Sequence, residues 1–252
     1  MNISCLNFNM IKPVQNNNRQ NCSYAILVGL HADTVTFTGI NKKEKTLEDL
    51  VPKNKGTIYK KETDANGNTV KTSVKVDIVK SQPFEFTFIH DGEVIGKLDL
   101  TYIKKDEEGR YNGILDSDYE NEGVIGSRID AEYVENFKQD EYGDIAHLAD
   151  LIAVAACKEL GIKPNVVSLS LEDAAPFHYV RGKRFIPFKE YHSDYYDFYD
   201  NKEPNDIVRE IVENTPKGKN FDTLMIQHEF LTYMPKEMIE DLETELEKNP
   251  IF

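Results

Sequence analysis

Apolar and polar residues alternate with a period of two along much of the first half of the chain. This alternation, rich in β-branched residues, predicts strands over residues 57–62, 69–79, 84–89, 94–103 and 126–134. The pairs Asn66-Gly67 and Asp91-Gly92 fall between neighbouring segments and are typical of tight hairpin turns. The first half therefore predicts an antiparallel β-meander.

The spacing of apolar residues becomes helical after residue 144. It predicts a helix over residues 145–160, which Gly161 and Pro164 terminate. A nearly continuous apolar segment, residues 165–171, predicts a strand directly after this helix. A strand–helix–strand unit requires parallel pairing. We therefore predict an α/β fold with a mixed sheet of the α+β type, in which the antiparallel meander is followed by one βαβ crossover.

The pattern weakens toward both ends of the chain. Towards the C-terminus it predicts a short helix from Glu172, strands over 184–188 and 224–233, and helices over 206–212 and 236–248. Residues 1–55 contain only two strand-like segments, 25–28 and 35–38, and one helical turn at 47–51. We predict a loosely ordered N-terminal arm over 1–55 and a single domain over 56–252.

Charge and cysteine usage narrow the class of protein. The chain has 30 Lys and Arg against 44 Asp and Glu, a net charge of -14, which repels nucleic acid and anionic lipid. No apolar run reaches the ~18 residues that a membrane helix requires. Three cysteines cannot form a disulfide framework, and Cys157 lies among alanines as a small apolar residue would. We predict a cytoplasmic protein without nucleic-acid or membrane partners.

Four segments in the second half, residues 142–152, 157–162, 166–169 and 174–182, follow one another in a specific order. This order resembles the GNAT acetyltransferase superfamily, over roughly residues 84–188. In that family the amino end of the helix holds the pyrophosphate of acetyl-CoA, and a short helix carries a tyrosine near the thioester sulfur. The resemblance implies an acyl-CoA-dependent N-acyltransferase in which an amine attacks the thioester directly. The family's substrate-binding helices before the central hairpin have no counterpart in this sequence.

The resemblance also implies where acetyl-CoA would bind. The family's loop has a basic residue or Gln, two others, Gly, any residue, and then Gly or Ala. Counting back from Gly161 aligns residues 141–146 with it, whereas a shifted alignment begins at Gln139. The candidate cofactor-binding residues are Val134, Gln139, Tyr142, Gly143, Asp144, Ile145 and Ala146. The acidic residues Asp140, Glu141 and Asp144 disfavour a phosphate there, and Asp144 is equally typical of a helix N-cap.

The catalytic candidates follow from the same resemblance. Tyr179 would protonate the departing CoA thiolate, unless it only packs against the sheet. His178 could serve instead, but adjacent helical residues diverge, so only one of the two faces a common site. Glu132 or Glu135 would accept the proton of the amine, and we select Glu132.

Two further groups have alternative interpretations. His147, Asp144 and Asp150 could share a helix face as metal ligands, but we favour a solvated His147 and predict no metal. The segment Tyr191–Asp200 alternates aromatic and acidic residues, which suit a cationic amine or, equally, a lid over the sheet.

Two functions therefore remain open. One is the acyltransferase, with a small-molecule or protein amine, of cationic character, as its acceptor. The other is a non-catalytic GNAT-like binding or interaction module that has lost acetyl-CoA binding.

Overall fold

The computed structural model describes residues 44–105, 126–171, 173–186, 202–223, 226 and 230–252. The chain divides into two units, residues 1–43 and 44–252. The first unit, with the predicted strands at 25–28 and 35–38, lies outside the described residues. A 3-10 turn spans Leu47–Asp49, and Leu47 and Leu50 are buried in the core of the second unit. This unit therefore begins earlier than the boundary predicted near residue 55.

Five long strands form the predicted meander. They are β1 (Gly56–Thr63), β2 (Thr69–Gln82), β3 (Glu85–His90), β4 (Glu93–Ile103) and β5 (Arg128–Asn136), and each pairs antiparallel with the next. Asp91 and Gly92, with φ of 51° and 80°, both adopt the left-handed conformation of a primed hairpin turn. The predicted antiparallel meander is confirmed.

A short strand and a long helix follow the meander. The strand is β6 (Tyr142–Gly143), and helix α1 (Ile145–Leu160) ends at Gly161 in the left-handed conformation. Strand β7 (Val166–Ser170) then pairs parallel to β5, as expected for the predicted βαβ crossover. The remaining elements are α2 (Ala175–Val180), β8 (Arg184–Phe185), α3 (Pro204–Asn214), β9 (Phe230–Tyr233) and α4 (Lys236–Lys248).

Several C-terminal elements differ from their predicted bounds, α2 and β9 most clearly. Helix α2 begins at Ala175 rather than at Glu172, which is outside the described residues. Pro176 suits the first turn of this helix because the N–H that proline lacks needs no acceptor there. Of the predicted strand over 224–233, the described part pairs as strand only over Phe230–Tyr233.

The nine strands of the described residues form one mixed sheet in the order β6-β1-β2-β3-β4-β5-β7-β9-β8. Among its described pairs, β5 with β7 alone is parallel. Strand β6 follows β5 after a short turn and yet pairs with β1, four strands away. The sheet must therefore curl until β1 reaches the end of β5.

Helix α1 supplies the centre of the main apolar core. It packs against β5, β1 and β4, and ten consecutive residues, 148–157, are buried. Cys157 is among them, and burial raises the pKa of its thiol to about 11, so it behaves as the predicted small apolar residue. Among the described residues, no helix has the length and apolar character needed to cross a membrane.

A second apolar cluster lies between α2, α3, β8 and β9. Its buried members are Ala175, Phe185, Ile207, Val208, Ile226 and Phe230. Tyr179 packs against this cluster from α2.

Candidate functional site

The loop before α1, residues 139–144, is held by strand β1. Tyr59 and Lys60 of β1 pair with Gly143 and Tyr142 of β6. The backbone N–H of Lys61 donates to the Glu141 carbonyl over 2.7 Å, and its Nζ donates to the Gln139 carbonyl over 2.6 Å. The predicted cofactor loop is therefore part of a strand pairing that the sequence pattern did not indicate.

Gly143 is explained by this pairing. A Cβ at this position would overlap Cζ and Oη of Tyr59, so the ring rests on the bare face of the glycine. Lys71, on the neighbouring strand β2, places its Nζ 4.3 Å from the centroid of the same ring. A glycine is thus required at position 143 because the ring of Tyr59 packs against it. Its small size does not by itself indicate a phosphate-binding site.

Asp144 begins α1 in an unusual conformation. It occupies the N-cap position, as predicted, but its φ is 67° and its side chain makes no capping hydrogen bond. A conventional N-cap residue has extended backbone angles. The expectation that the Asp144 side chain caps the helix is therefore wrong. The left-handed angle here is one that glycine adopts most easily and that Asp tolerates better than most residues.

The other candidate cofactor residues have different surroundings. Tyr142 is buried, with its ring edge-on to His90 at 5.6 Å, and its carbonyl accepts a hydrogen bond from Asn136. Ile145 is buried in the core, Ala146 is half-buried, and Gln139 is exposed. Val134 is exposed on β5.

The two catalytic candidates lie on different elements. Tyr179 packs on the second apolar cluster, and its ring stacks with the Arg184 guanidinium at 4.5 Å. Glu132 is exposed on β5, at a bulge created where Asp99 pairs with Tyr133 but Leu100 pairs with Ala131. No described contact joins Tyr179 to Glu132 or to the loop, and their catalytic roles stay predictions.

The three residues considered as metal ligands diverge. His147 Nε2 lies 2.9 Å from Glu245 of α4, Asp144 is exposed, and Asp150 is buried. Across the described ranges, no three His, Cys, Asp or Glu side chains are grouped as a metal ion would require. Segment Tyr191–Asp200 lies outside the described residues.

Strands β5 and β7 pair over a very short length. Only Ile129 with Val166 and Asp130 with Val167 are in register. Beyond them, the described residues 131–136 of β5 and 168–170 of β7 do not pair with each other, although each strand still pairs on its other side. These facing edges have no ladder pairs with each other, and we call this unpaired stretch, to which Ser168 belongs on the β7 side, the gap between β5 and β7.

A buried polar cluster lies beside this gap, between α1, β7 and the segment after α2. Asp150 of α1 accepts from Arg181 Nη2 over 2.8 Å and pairs with Lys183 Nζ at 3.1 Å. Lys183 also donates to Ser168 Oγ over 3.2 Å, and that oxygen lies 2.6 Å from Thr232 Oγ1. The Asp150 and Lys183 side chains are only 4% and 5% exposed. We call Asp150, Ser168, His178, Arg181 and Lys183 the Asp150 cluster.

His178 faces this cluster. Its burial, with the nearby positive charge of Lys183, lowers the pKa of its imidazole to about 4, against an ordinary value of 6.5. Arg181 acts in the same direction, and Asp150 opposes both. His178 and Tyr179 thus point to different clusters, which confirms that only one of them can face a given site.

The low pKa of His178 predicts a pH dependence of stability. Between about pH 4 and pH 6.5 the unfolded chain binds a proton at this residue that the folded protein does not, so stability falls as pH falls through this window. From pH 7 to pH 5.5 we expect His178 to account for a loss of about 1 kcal/mol in the free energy of unfolding. Urea denaturation of the wild type and His178→Gln at both values measures this loss.

In that experiment His178→Gln should lose less stability on acidification than the wild type. His90→Gln, which removes a half-buried histidine elsewhere in the domain, serves as the control and should follow the wild type. Equal losses in His178→Gln and the wild type would contradict the prediction.

Sequence reasoning considered Asp150 only as a metal ligand and missed the cluster. A signal was present, because Asp150 is the one charged residue within the apolar run 148–157. A helix that is apolar all round is buried, and a charge within it needs a partner. The partners could not be identified, since Arg181 and Lys183 are more than 30 residues away in the sequence.

The comparisons do not extend this picture, since no family model, curated protein or solved structure matches the chain. The site can therefore be judged only on its own geometry. In the predicted loop the ring of Tyr59 covers Gly143, and the Gln139 and Glu141 carbonyls accept hydrogen bonds from Lys61. Asp140, Glu141 and Asp144 are all exposed beside it.

Proposed function

We propose that this domain is a GNAT-like binding or interaction module that does not hold acetyl-CoA in the loop before α1. One observation carries the proposal. The ring of Tyr59 occupies the bare face of Gly143, where the resemblance would place a pyrophosphate. A ligand there would have to displace the ring of Tyr59.

Electrostatics supports the same conclusion. The amino end of a helix favours an anion by about 0.3–1 kcal/mol at an exposed position. Each solvated carboxylate beside a phosphate opposes binding by about 1 kcal/mol. Asp140, Glu141 and Asp144 are all exposed around the start of α1 and oppose an anion there, while Lys61, which contacts the Gln139 carbonyl, and Lys138, which pairs with Glu141, offset part of this repulsion.

The net charge favours one kind of partner. At -14, the chain attracts cations over its surface, so a small molecule or protein bearing an amine suits it best. We therefore include an amine-bearing partner of this kind in the proposed function.

Calorimetric titration with acetyl-CoA and with CoA tests the proposal. We expect no saturable binding by the wild type at ligand concentrations up to about 1 mM, because the loop offers no open phosphate site. The variant Tyr59→Ala should gain measurable CoA affinity if Tyr59 is the main obstacle. Tyr133→Ala, which removes an exposed tyrosine from β5, should not.

Saturable binding of acetyl-CoA or CoA by the wild type would overturn the proposal that the domain is a module without acetyl-CoA. If Tyr59→Ala gains no CoA affinity, Tyr59 is not the main obstacle to CoA binding. Circular dichroism of both variants shows whether a missing gain in CoA affinity comes from a lost fold.

The acyltransferase is the second candidate, and the gap between β5 and β7 favours it. The unpaired strand edges offer backbone N–H and C=O groups to a linear ligand that contains amides, as acetyl-CoA does. Glu132 stands at the bulge on the β5 side. If acetyl-CoA binds the wild type, a ligand concentration of ~100 times Kd should stabilise the fold by ~2.7 kcal/mol.

A further inference from the structure

The Asp150 cluster contains more positive than negative charge. Arg181 and Lys183 share a single carboxylate, Asp150, whose two oxygens each bind one of them. No second carboxylate within the described residues pairs with either cation. Since the Lys183 side chain is 5% exposed, water cannot fully compensate the surplus charge.

Two nitrogens in the cluster have no hydrogen-bond partner among the residues that the structure describes. They are Nδ1 of His178 and Nε of Arg181, and both atoms are buried. Buried polar atoms in native proteins are nearly always paired, so an unpaired one indicates a missing water, ion or ligand. Arg181 Nε is a donor, and His178 Nδ1 is a donor in one of its two tautomers, so together with the surplus positive charge these atoms suit a group that accepts hydrogen bonds and carries negative charge.

The cluster is also accessible from one side. The Arg181 side chain is 26% exposed, whereas Asp150 and Lys183 are closed off from solvent. A small ligand could therefore reach the interior along the guanidinium. The gap between β5 and β7 lies next to it, because Ser168 belongs to both.

We propose that the Asp150 cluster binds a small oxyanion, a carboxylate or a phosphate. Arg181 Nε and Lys183 Nζ would donate to its oxygens, and His178 would donate through Nδ1 in the matching tautomer. Asp150 keeps both cations in place and neutralises one of them. The site is separate from the loop before α1 and does not depend on which of the two candidate functions is correct.

Titration of the wild type with sodium phosphate and with sodium acetate, at constant ionic strength set by sodium chloride, tests the proposal. Binding is followed by the imidazole NMR signals of His178 and by the melting temperature. We expect a saturable change of the His178 signals and a rise in melting temperature with at least one of the two anions. The better anion identifies the class of ligand.

Two variants test the residues. Arg181→Gln removes the partly exposed cation and leaves Asp150 and Lys183 as a neutral pair, so affinity should fall at least tenfold. Lys183→Met leaves Asp150 paired with Arg181 and should have the same effect, which covers the case in which one variant fails to fold. Lys55→Met, which removes an exposed lysine paired with Asp77, is the control and should bind as the wild type does.

The proposal is overturned if neither anion at concentrations up to about 50 mM changes the His178 signals, since water alone then satisfies these nitrogens. It is also overturned if folded Arg181→Gln and Lys183→Met bind with wild-type affinity. Binding of acetyl-CoA at the loop before α1 would contradict the proposed module without affecting this result.

Discussion

Replacing Asp150 by asparagine is expected to lower the free energy of unfolding by about 3–5 kcal/mol, the range found when one partner of a buried ion pair is removed. The reason is that Lys183 and Arg181 would then share a buried space without a carboxylate. Asparagine fills almost the same volume, so the loss reports the charge rather than a cavity. Urea denaturation at pH 7, in a buffer without phosphate or carboxylate, measures it.

Two further variants test whether the loss of stability comes from the buried ion pairs. Asp241→Asn removes an exposed aspartate from α4 and should change stability by less than about 0.5 kcal/mol. Adding Lys183→Met to Asp150→Asn should restore part of the loss, because it removes a buried cation that has become unpaired. If Asp150→Asn is as stable as Asp241→Asn, the ion pairs contribute little.

The second large effect is expected at Gly143. The variant Gly143→Ala should lower the free energy of unfolding by about 1–3 kcal/mol, the usual penalty for overpacking a tight contact. The backbone of Gly143 is not in the left-handed region, so alanine is allowed there by conformation alone. The expected penalty comes from the overlap of the new Cβ with the ring of Tyr59.

A double-mutant cycle assigns this penalty to its cause. In the Tyr59→Ala background, where the ring is gone, Gly143→Ala should cost close to nothing. Chemical denaturation of the four proteins supplies the cycle. An undiminished loss in that background would show that something other than Tyr59 requires the glycine.

Local patterns predicted most of the secondary structure. Helix α1 was predictable because its apolar spacing is long and Gly161 ends it with a left-handed residue. The hairpin at Asp91-Gly92 was predictable because both residues tolerate positive φ. These features depend only on neighbours in the sequence.

The features that decide the candidate site depend on distant partners. Strand β6 has two residues and therefore no periodicity, and it exists because β1 pairs with it from more than 80 positions away. The position of Asp144 before a helix indicated an ordinary N-cap, but its backbone angle is set by the turn from β6 into α1. Contacts between remote elements leave no local pattern in one sequence.

The ends of the sheet bear on how copies of this protein behave at high concentration. Its first and last strands, β6 and β8, contain two residues each. An incoming strand from another copy would find few open backbone groups on them. Where β1 extends past β6, it carries Glu62 next to Lys61, so charge also discourages addition. Among the described residues, the edges of this large, mainly antiparallel sheet therefore disfavour the addition of a strand from another copy.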